Sequence, residues 1–390
     1  MYKSDSIQGC ALNGVLSAVG TIILFFMRTL TTTFHFGTNY GATLQAYALQ
    51  QTIMSLGHEN DILDIVEVSN NEAVFLSPKE IARHLYLKYL SFKRRRQIAV
   101  LRQAFVDFHK QRMHLTRAYV DMEDIRNDPK IQEYDCLITG SDQVWNLKTR
   151  PGFVDSRFLL FGSEKSRRFS YAASLEELDY SDEQKSYVAN ALKRFRGITI
   201  REESACKYVE SFSGVKCKRV IDPVFLLAKE EWMKVAREPR LKGPYILCYQ
   251  VQRNTRIEEV AYLLKKKTGL PVVSICNSAI KWMKSDYTFY DVSIEEFLGF
   301  YNQAAYIVSA SFHGVAMGMV FEKPVYAMVK KEKADRIRSI MTLMGLSDYI
   351  VVQGKNDEVR EYKSSRLREM MIASQNERNK GIGFIKGMLS

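Results

Sequence analysis

The segment Arg28-Thr29-Leu30-Thr31-Thr32-Thr33-Phe34-His35-Phe36-Gly37-Thr38-Asn39-Tyr40-Gly41-Ala42 sets the architecture. Its first eight residues read as a strand, and Gly37 to Gly41 as a turn. Beyond the turn, Ala42, Ala46, Leu49, Ile53 and Leu56 recur at spacings of four and three, a buried helical stripe. Gly57 supplies a left-handed stop, and Ile62-Leu63-Asp64-Ile65-Val66 reads as a second strand. Strand, glycine loop, helix and strand in this order open a doubly wound α/β domain.

The pattern continues outward. Strands are expected at Tyr134 to Thr139, Arg168 to Ala172, Gly197 to Arg201 and Val220 to Asp222, with a helix from Ser181 to Arg196. The polar stretch from Ala236 to Pro244 reads as a linker. A second α/β unit follows, with strands at Tyr245 to Tyr249, Pro271 to Ile275, Ala305 to Ala310 and Pro324 to Met328. The expected domains are therefore residues 27–235 and 245–355. A charged helical tail over 356–390 ends near Gly381.

The chain has 390 residues, 46% hydrophobic and 26% charged, which excludes wholesale disorder and a multi-span membrane protein. Its net charge is +12, yet Arg83 to Arg117 holds ten Lys/Arg against one acid, Asp107. That one segment carries +9, leaving a nearly neutral body. The segment 77–117 reads as a helical arm: Ser77 caps, Pro78 takes the first position, Glu80 completes a capping box, and helix runs to about His114. Its plain reading is a solvated face. The sharper one is peripheral contact of 83–117 with an anionic membrane face, Tyr and Phe lying at the interface. No nucleic-acid module appears, so no nucleic-acid partner is expected. The six cysteines include no C-x-x-C pair, and no His completes a zinc site, so no metal is expected; free thiols favour the cytoplasm. Residues 1–26 read as an extension upstream of a start at Met27, with a weak signal anchor as the rival reading.

Conspicuous polar residues follow the carboxyl ends of four predicted strands. They are His35 with Gly37, Asn39, Tyr40 and Gly41; Ser141, Asp142 and Gln143; Arg201 and Glu202; and Ser311, His313 and Gly314. Ligands of parallel α/β sheets bind at that edge, where helix N-termini present free amides to anions. Each element also has a plain reading. Gly37-x-x-x-Gly41 alone is a tight turn, His35 a strand-end histidine bonded to backbone, Arg201–Glu202 a surface ion pair, and Trp145 a core residue. His313 is the least easily explained by structure alone, since a helix start needs no imidazole.

Together these residues resemble the polysaccharide pyruvyl transferase family. The resemblance runs from about Met27 to Met328. It rests on Thr33 to Ala42, Leu44 to Leu49, Gly140 to Asn146, Tyr171-Ala172-Ala173-Ser174, Arg201-Glu202-Glu203-Ser204, Asp222-Pro223, Ser311 to Gly314 and Lys323-Pro324. It implies a GT-B-like pair of Rossmann-type domains whose parallel sheets face each other across a cleft. It also implies transfer of pyruvate from phosphoenolpyruvate, as co-substrate and with no other cofactor, to two hydroxyls of a sugar. The product is a cyclic ketal, and phosphate is released. The acceptor would be a cell-surface polysaccharide or its lipid-linked precursor.

In that frame Arg201 holds phosphate or carboxylate, His313 binds the donor and serves as general acid, and Asp142 takes a hydroxyl proton or positions the acceptor. His35, Gly37, Asn39, Tyr40, Gly41, Ser141, Gln143, Ser174, Ser311 and Gly314 would line the substrate. Some relatives carry an acid after the second glycine of the first loop; here that position is Ala42, so no general base carries over from it. Two other readings fit the same fold. One is a glycosyltransferase using a nucleotide sugar, although Val315 to Val320 lacks the acid that would hold a ribose. The other is a non-catalytic glycan- or lipid-binding protein.

Overall fold

A computed structural model describes residues 26–66, 78–149, 151–175, 178–329, 335–352 and 359–390. The expectations for residues 1–25 and for the Ser77 and Glu80 capping side chains lie outside the described residues.

The first half carries β1 (Arg28–Thr32), β2 (Glu59–Ile65), β3 (Leu115–Tyr119), β4 (Cys136–Thr139) and β5 (Arg167–Ser170) in the order β3-β2-β1-β4-β5, every pair parallel. β6 (Ile198–Ile200) and β7 (Cys217–Arg219) extend it through bridges from Phe169 to Gly197 and from Ala173 to Ile200. The second half carries β8 (Ile246–Tyr249), β9 (Val272–Ile275), β10 (Tyr287–Phe289), β11 (Tyr306–Ser309), β12 (Val325–Val329) and β13 (Ile350–Val352), ordered β10-β9-β8-β11-β12-β13 and again all parallel. Each sheet reverses its order once, between β1 and β4 and between β8 and β11, and such switch points open a crevice at the strands' carboxyl ends.

Apart from the threonine-rich β1, the central strands are apolar because both of their faces are covered. The polar residues among them are bonded: Asn60 Nδ2 donates to Thr29 Oγ1 at 2.7 Å and to Thr31 Oγ1 at 2.9 Å. The helix Tyr40–Ser55 is buried along almost its whole first three turns, well beyond one stripe, because it lies between the first sheet and the second half of the chain. The amide nitrogens of its buried glutamines are bonded as well. Gln45 Nε2 donates to Thr33 Oγ1 and the Phe34 carbonyl, and Gln50 Nε2 to the carbonyls of Asn60 and His114.

Four sequence expectations change. The arm is two helices, Pro78–Lys93 and Arg95–Arg112, because Arg94 leaves the helical path. Its guanidinium lies 4.2 Å over the Tyr290 ring and donates to the Ala279 carbonyl in the other half. β7 is Cys217–Arg219 rather than Val220 to Asp222, since Asp222 turns away to cap the 3-10 turn Pro223–Phe225. β3, β10 and β13 are strands that the sequence reading left out, and each is the outermost strand on its side of a sheet. The tail helix Ser364–Leu389 runs straight through Gly381. That glycine permits close packing: a Cβ there would stand 2.9 Å from Leu226 Cδ2 and 2.5 Å from the Tyr171 hydroxyl. Ile385, Met388 and Leu389 then join Leu49, Ile138 and Phe169 in the core of the first half. Among the described residues no helix is long and apolar enough to cross a membrane.

Candidate active site at the facing sheet edges

Four chain segments end their strands and converge on one buried carboxylate. Asp222, just past β7, is 1% exposed. Its Oδ1 accepts the Val224 amide, while Oδ2 accepts Ser141 Oγ at 3.0 Å from beyond β4 and Arg201 Nη1 at 2.7 Å from the end of β6. His313 Nε2, from the loop after β11 in the other half, stands 3.5 Å from the same oxygen. Arg201 is itself buried, and each of its nitrogens donates: Nε to Glu202 Oε1 at 2.8 Å, Nη1 to Asp222, and Nη2 to Ser174 Oγ at 3.0 Å. Ser174 Oγ in turn donates to Glu202 Oε1 at 2.9 Å, and the Phe312 ring covers the guanidinium face at 4.1 Å.

Arg201–Glu202 is therefore no surface pair, and Arg201 is not the open two-pronged anion clamp expected of it. A guanidinium taken out of water needs acceptors on every side, and three protein oxygens provide them. Burial pushes the Arg201 pKa down, but Glu202, Asp222 and Asp142 outweigh it and raise the pKa. Burial likewise pushes the Asp222 carboxyl up. His313 and Arg201 overcome that push and hold it well below the usual carboxylate range. Glu202 Oε2 is buried without a hydrogen bond among the described residues.

His313 sits in the first turn of the helix Phe312–Val320, which Ser311 caps by accepting the Gly314 amide. Its ring rests on the backbone of Gly41, at the start of the helix Tyr40–Ser55. A Cβ on Gly41 would lie 2.7 Å from His313 Cβ and closer still to the ring atoms Cγ and Nδ1. Gly41 is thus a glycine because an imidazole from the other half occupies the space of its side chain. Gly314 is held by the same kind of crowding, against Ser309 and Tyr249. Asn39 caps the helix Tyr40–Ser55, its Oδ1 accepting the Ala42 amide at 3.3 Å. Two helix N-termini, with their positive dipole ends, thereby meet at His313.

The remaining predicted residues divide. Asp142 lies beside this cluster in the left-handed region at φ +72°, half-buried, with Oδ1 accepting the Gln143 amide. Gln143 is half-buried beside it, and Gly37 is exposed at φ +75° on the rim. His35 is separate. Its Nδ1 lies 3.2 Å from the Thr33 carbonyl and its Nε2 3.2 Å from Asp64, with His109 of the arm packed edge-on at 5.9 Å. Burial and the neighbouring His35 lower the His109 pKa to about 4. Tyr40, expected to line the substrate, is instead wholly buried, stacked on Phe297 at 4.1 Å, its hydroxyl donating to the Val292 carbonyl at 2.6 Å. It ties the two halves together, because a tyrosine at the seam has core on both sides. Trp145 keeps its plain reading, stacked on Phe158 in the core.

Asp222, the hub, shows in the sequence only as part of Asp222-Pro223. The available signal was an acid placed just after a strand and before proline.

Two parallel α/β sheets, meeting edge to edge with these loops between them, define a GT-B-like fold. Within it the chain belongs to the polysaccharide pyruvyl transferase family, whose model matches residues 39–329. Among solved structures it is similar to the UDP-GlcNAc 2-epimerase of Methanocaldococcus jannaschii, at 10% identity and a TM-score of 0.49 over 90% of this chain and 92% of that one. The UDP-GlcNAc 2-epimerase of Neisseria meningitidis bound to UDP-GlcNAc gives 9% identity and 0.48 over 94% of each chain. That of Rickettsia bellii gives 10% and 0.48 over 93% and 97%. No curated protein matches the chain.

Proposed function

We propose that the protein transfers the pyruvyl group of phosphoenolpyruvate to two hydroxyls of one sugar, forming a cyclic ketal and releasing phosphate. The observation that carries this reading is the His313–Asp222–Arg201 relay, set where two helix N-termini meet. Phosphoenolpyruvate brings two anionic groups, and helix amides with their dipoles suit them.

His313 protonates the methylene carbon while the first sugar hydroxyl adds to C2, converting the C2–C3 double bond to a single bond. The second hydroxyl then displaces phosphate from C2, and the two hydroxyl protons leave to the imidazole and to phosphate. Asp222 faces the imidazole and orients it, and Arg201 acts as a positioning residue that keeps Asp222 ionised. Asp142, on the open side of the cluster, receives the acceptor.

The nucleotide-sugar alternative has less support. Val315 to Val320 are all buried and apolar or glycine, and Glu322 beyond them is paired to Lys229 at 2.9 Å.

The test is phosphate release from phosphoenolpyruvate with a panel of synthetic and lipid-linked glycans. Wild type should turn over and His313→Ala should not, and phosphoenolpyruvate should raise the melting temperature where UDP-sugars do not. Stabilisation by UDP-sugars alone would favour the glycosyltransferase instead.

A further inference from the structure

The arm helix Pro78–Lys93 shows two different apolar faces. Leu90 is buried and Leu87 half-buried toward the protein, and the second arm helix anchors the pair through Leu101, Phe105 and Phe108 in the core. Leu85, Tyr86, Tyr89 and Phe92 face outward and are 58–65% exposed. Their spacing of i, i+1, i+4 and i+7 puts them on one side of the helix. Since the opposite face of the helix is the one packed on the protein, this stripe is left uncovered by the described residues.

Charge borders the stripe. Lys88 and Lys93 flank it on either side at helical spacing, and Arg95 and Arg96 continue the rim into the next helix. All four are exposed and form no ion pair among the described residues. No acid occurs between Leu85 and Val106. Protein–protein interfaces are depleted in lysine, whereas apolar and aromatic side chains edged by cations are the make-up of a helix lying in a lipid interface.

We propose that the helix Pro78–Lys93 docks this protein on an anionic lipid surface, with Leu85, Tyr89 and Phe92 entering the interface and Lys88, Lys93, Arg95 and Arg96 meeting the headgroups. Arg94 takes no part. It is spent on Tyr290 and Ala279, next to the contact between Thr38 Oγ1 and the Asn277 carbonyl. That attachment fixes the docking helix beside the mouth of the seam between the two sheets, so docking brings the seam to the membrane. The proposal does not depend on which reaction the site performs.

The experiment is co-sedimentation of the full chain with vesicles of phosphatidylcholine alone and of phosphatidylcholine with about 30% phosphatidylglycerol. Binding is expected on the anionic vesicles only, and is expected to fall with salt. Lys88→Gln with Lys93→Gln should weaken it about fivefold for each cation removed. Leu85→Ser with Tyr89→Ser and Phe92→Ser should abolish it at an unchanged melting temperature, which controls for folding. Equal binding to both vesicles, no binding by wild type, or unchanged binding by both variants would each overturn the proposal. So would a wild type that ignores lipid and pairs with a second copy of itself through Leu85, Tyr89 and Phe92.

Discussion

Replacing Gly41 by alanine tests where His313 stands. Gly41 lies in the first turn of a helix, where alanine is favoured over glycine by up to about 1 kcal/mol. On secondary-structure grounds alone the variant should be no less stable. The added methyl, however, falls 2.7 Å from His313 Cβ and nearer to the ring, whereas ordinary carbon contacts begin at about 3.5 Å. The imidazole must retreat by about 1 Å, and a displacement of that size costs about a hundredfold in rate when the group acts on the substrate. The His313 ring is partly exposed and can turn away, but its Cβ is fixed to the helix Phe312–Val320, so the two helix N-termini must also part. The melting temperature should therefore fall by the equivalent of about 1–3 kcal/mol, while phosphate release from phosphoenolpyruvate falls about a hundredfold. Because the effect passes through His313, Gly41→Ala added to His313→Ala should cost nothing more. Full activity in the single variant, or a further loss in the double one, would refute the placement of His313.

Other outcomes follow from the same geometry. Asp222→Asn leaves Arg201 short of one of its two carboxylates and should cost about 3–5 kcal/mol, read from urea unfolding. Because the folded carboxyl is held below its unfolded value of about 3.9, wild-type stability from this group is complete above that pH and is lost as pH falls through the folded value. The variant should lack that acid-side slope, and an unchanged slope would count against the charge assignment. Tyr40→Phe leaves the Val292 carbonyl unpaired at a cost of about 1–2 kcal/mol, with activity retained; an inactive but stable variant would return Tyr40 to the substrate. Gly381→Ala drives a methyl onto Tyr171 and Leu226 and should destabilise by about 1–3 kcal/mol in spite of helix preference, so a raised melting temperature would contradict the packing.

Much of this protein was legible in its residues. Central parallel strands are buried on both faces, so β4, β8, β11 and β12 announce themselves as apolar runs, and the loops after them carry unusual polar residues. The edge strands give less signal: β3 mixes polar residues into its five, and β10 and β13 are only three residues long. The basic arm was visible as charge. Its break at Arg94 was not, because the cause is an aromatic ring and a carbonyl some 190 residues away in sequence.

The site shows the same division. Local order placed His313, Arg201, Ser141, Ser174 and Asp142 each at the end of a strand. Only tertiary structure decided that Arg201 would be enclosed by Glu202, Asp222 and Ser174, that Tyr40 would be core rather than lining, and that Asp222 would be the hub. Periodicity is a property of neighbours along the chain, and it fixes which face of an element is buried. Whether a charged group ends up free or neutralised depends on partners from distant strands, and no local pattern encodes their distance.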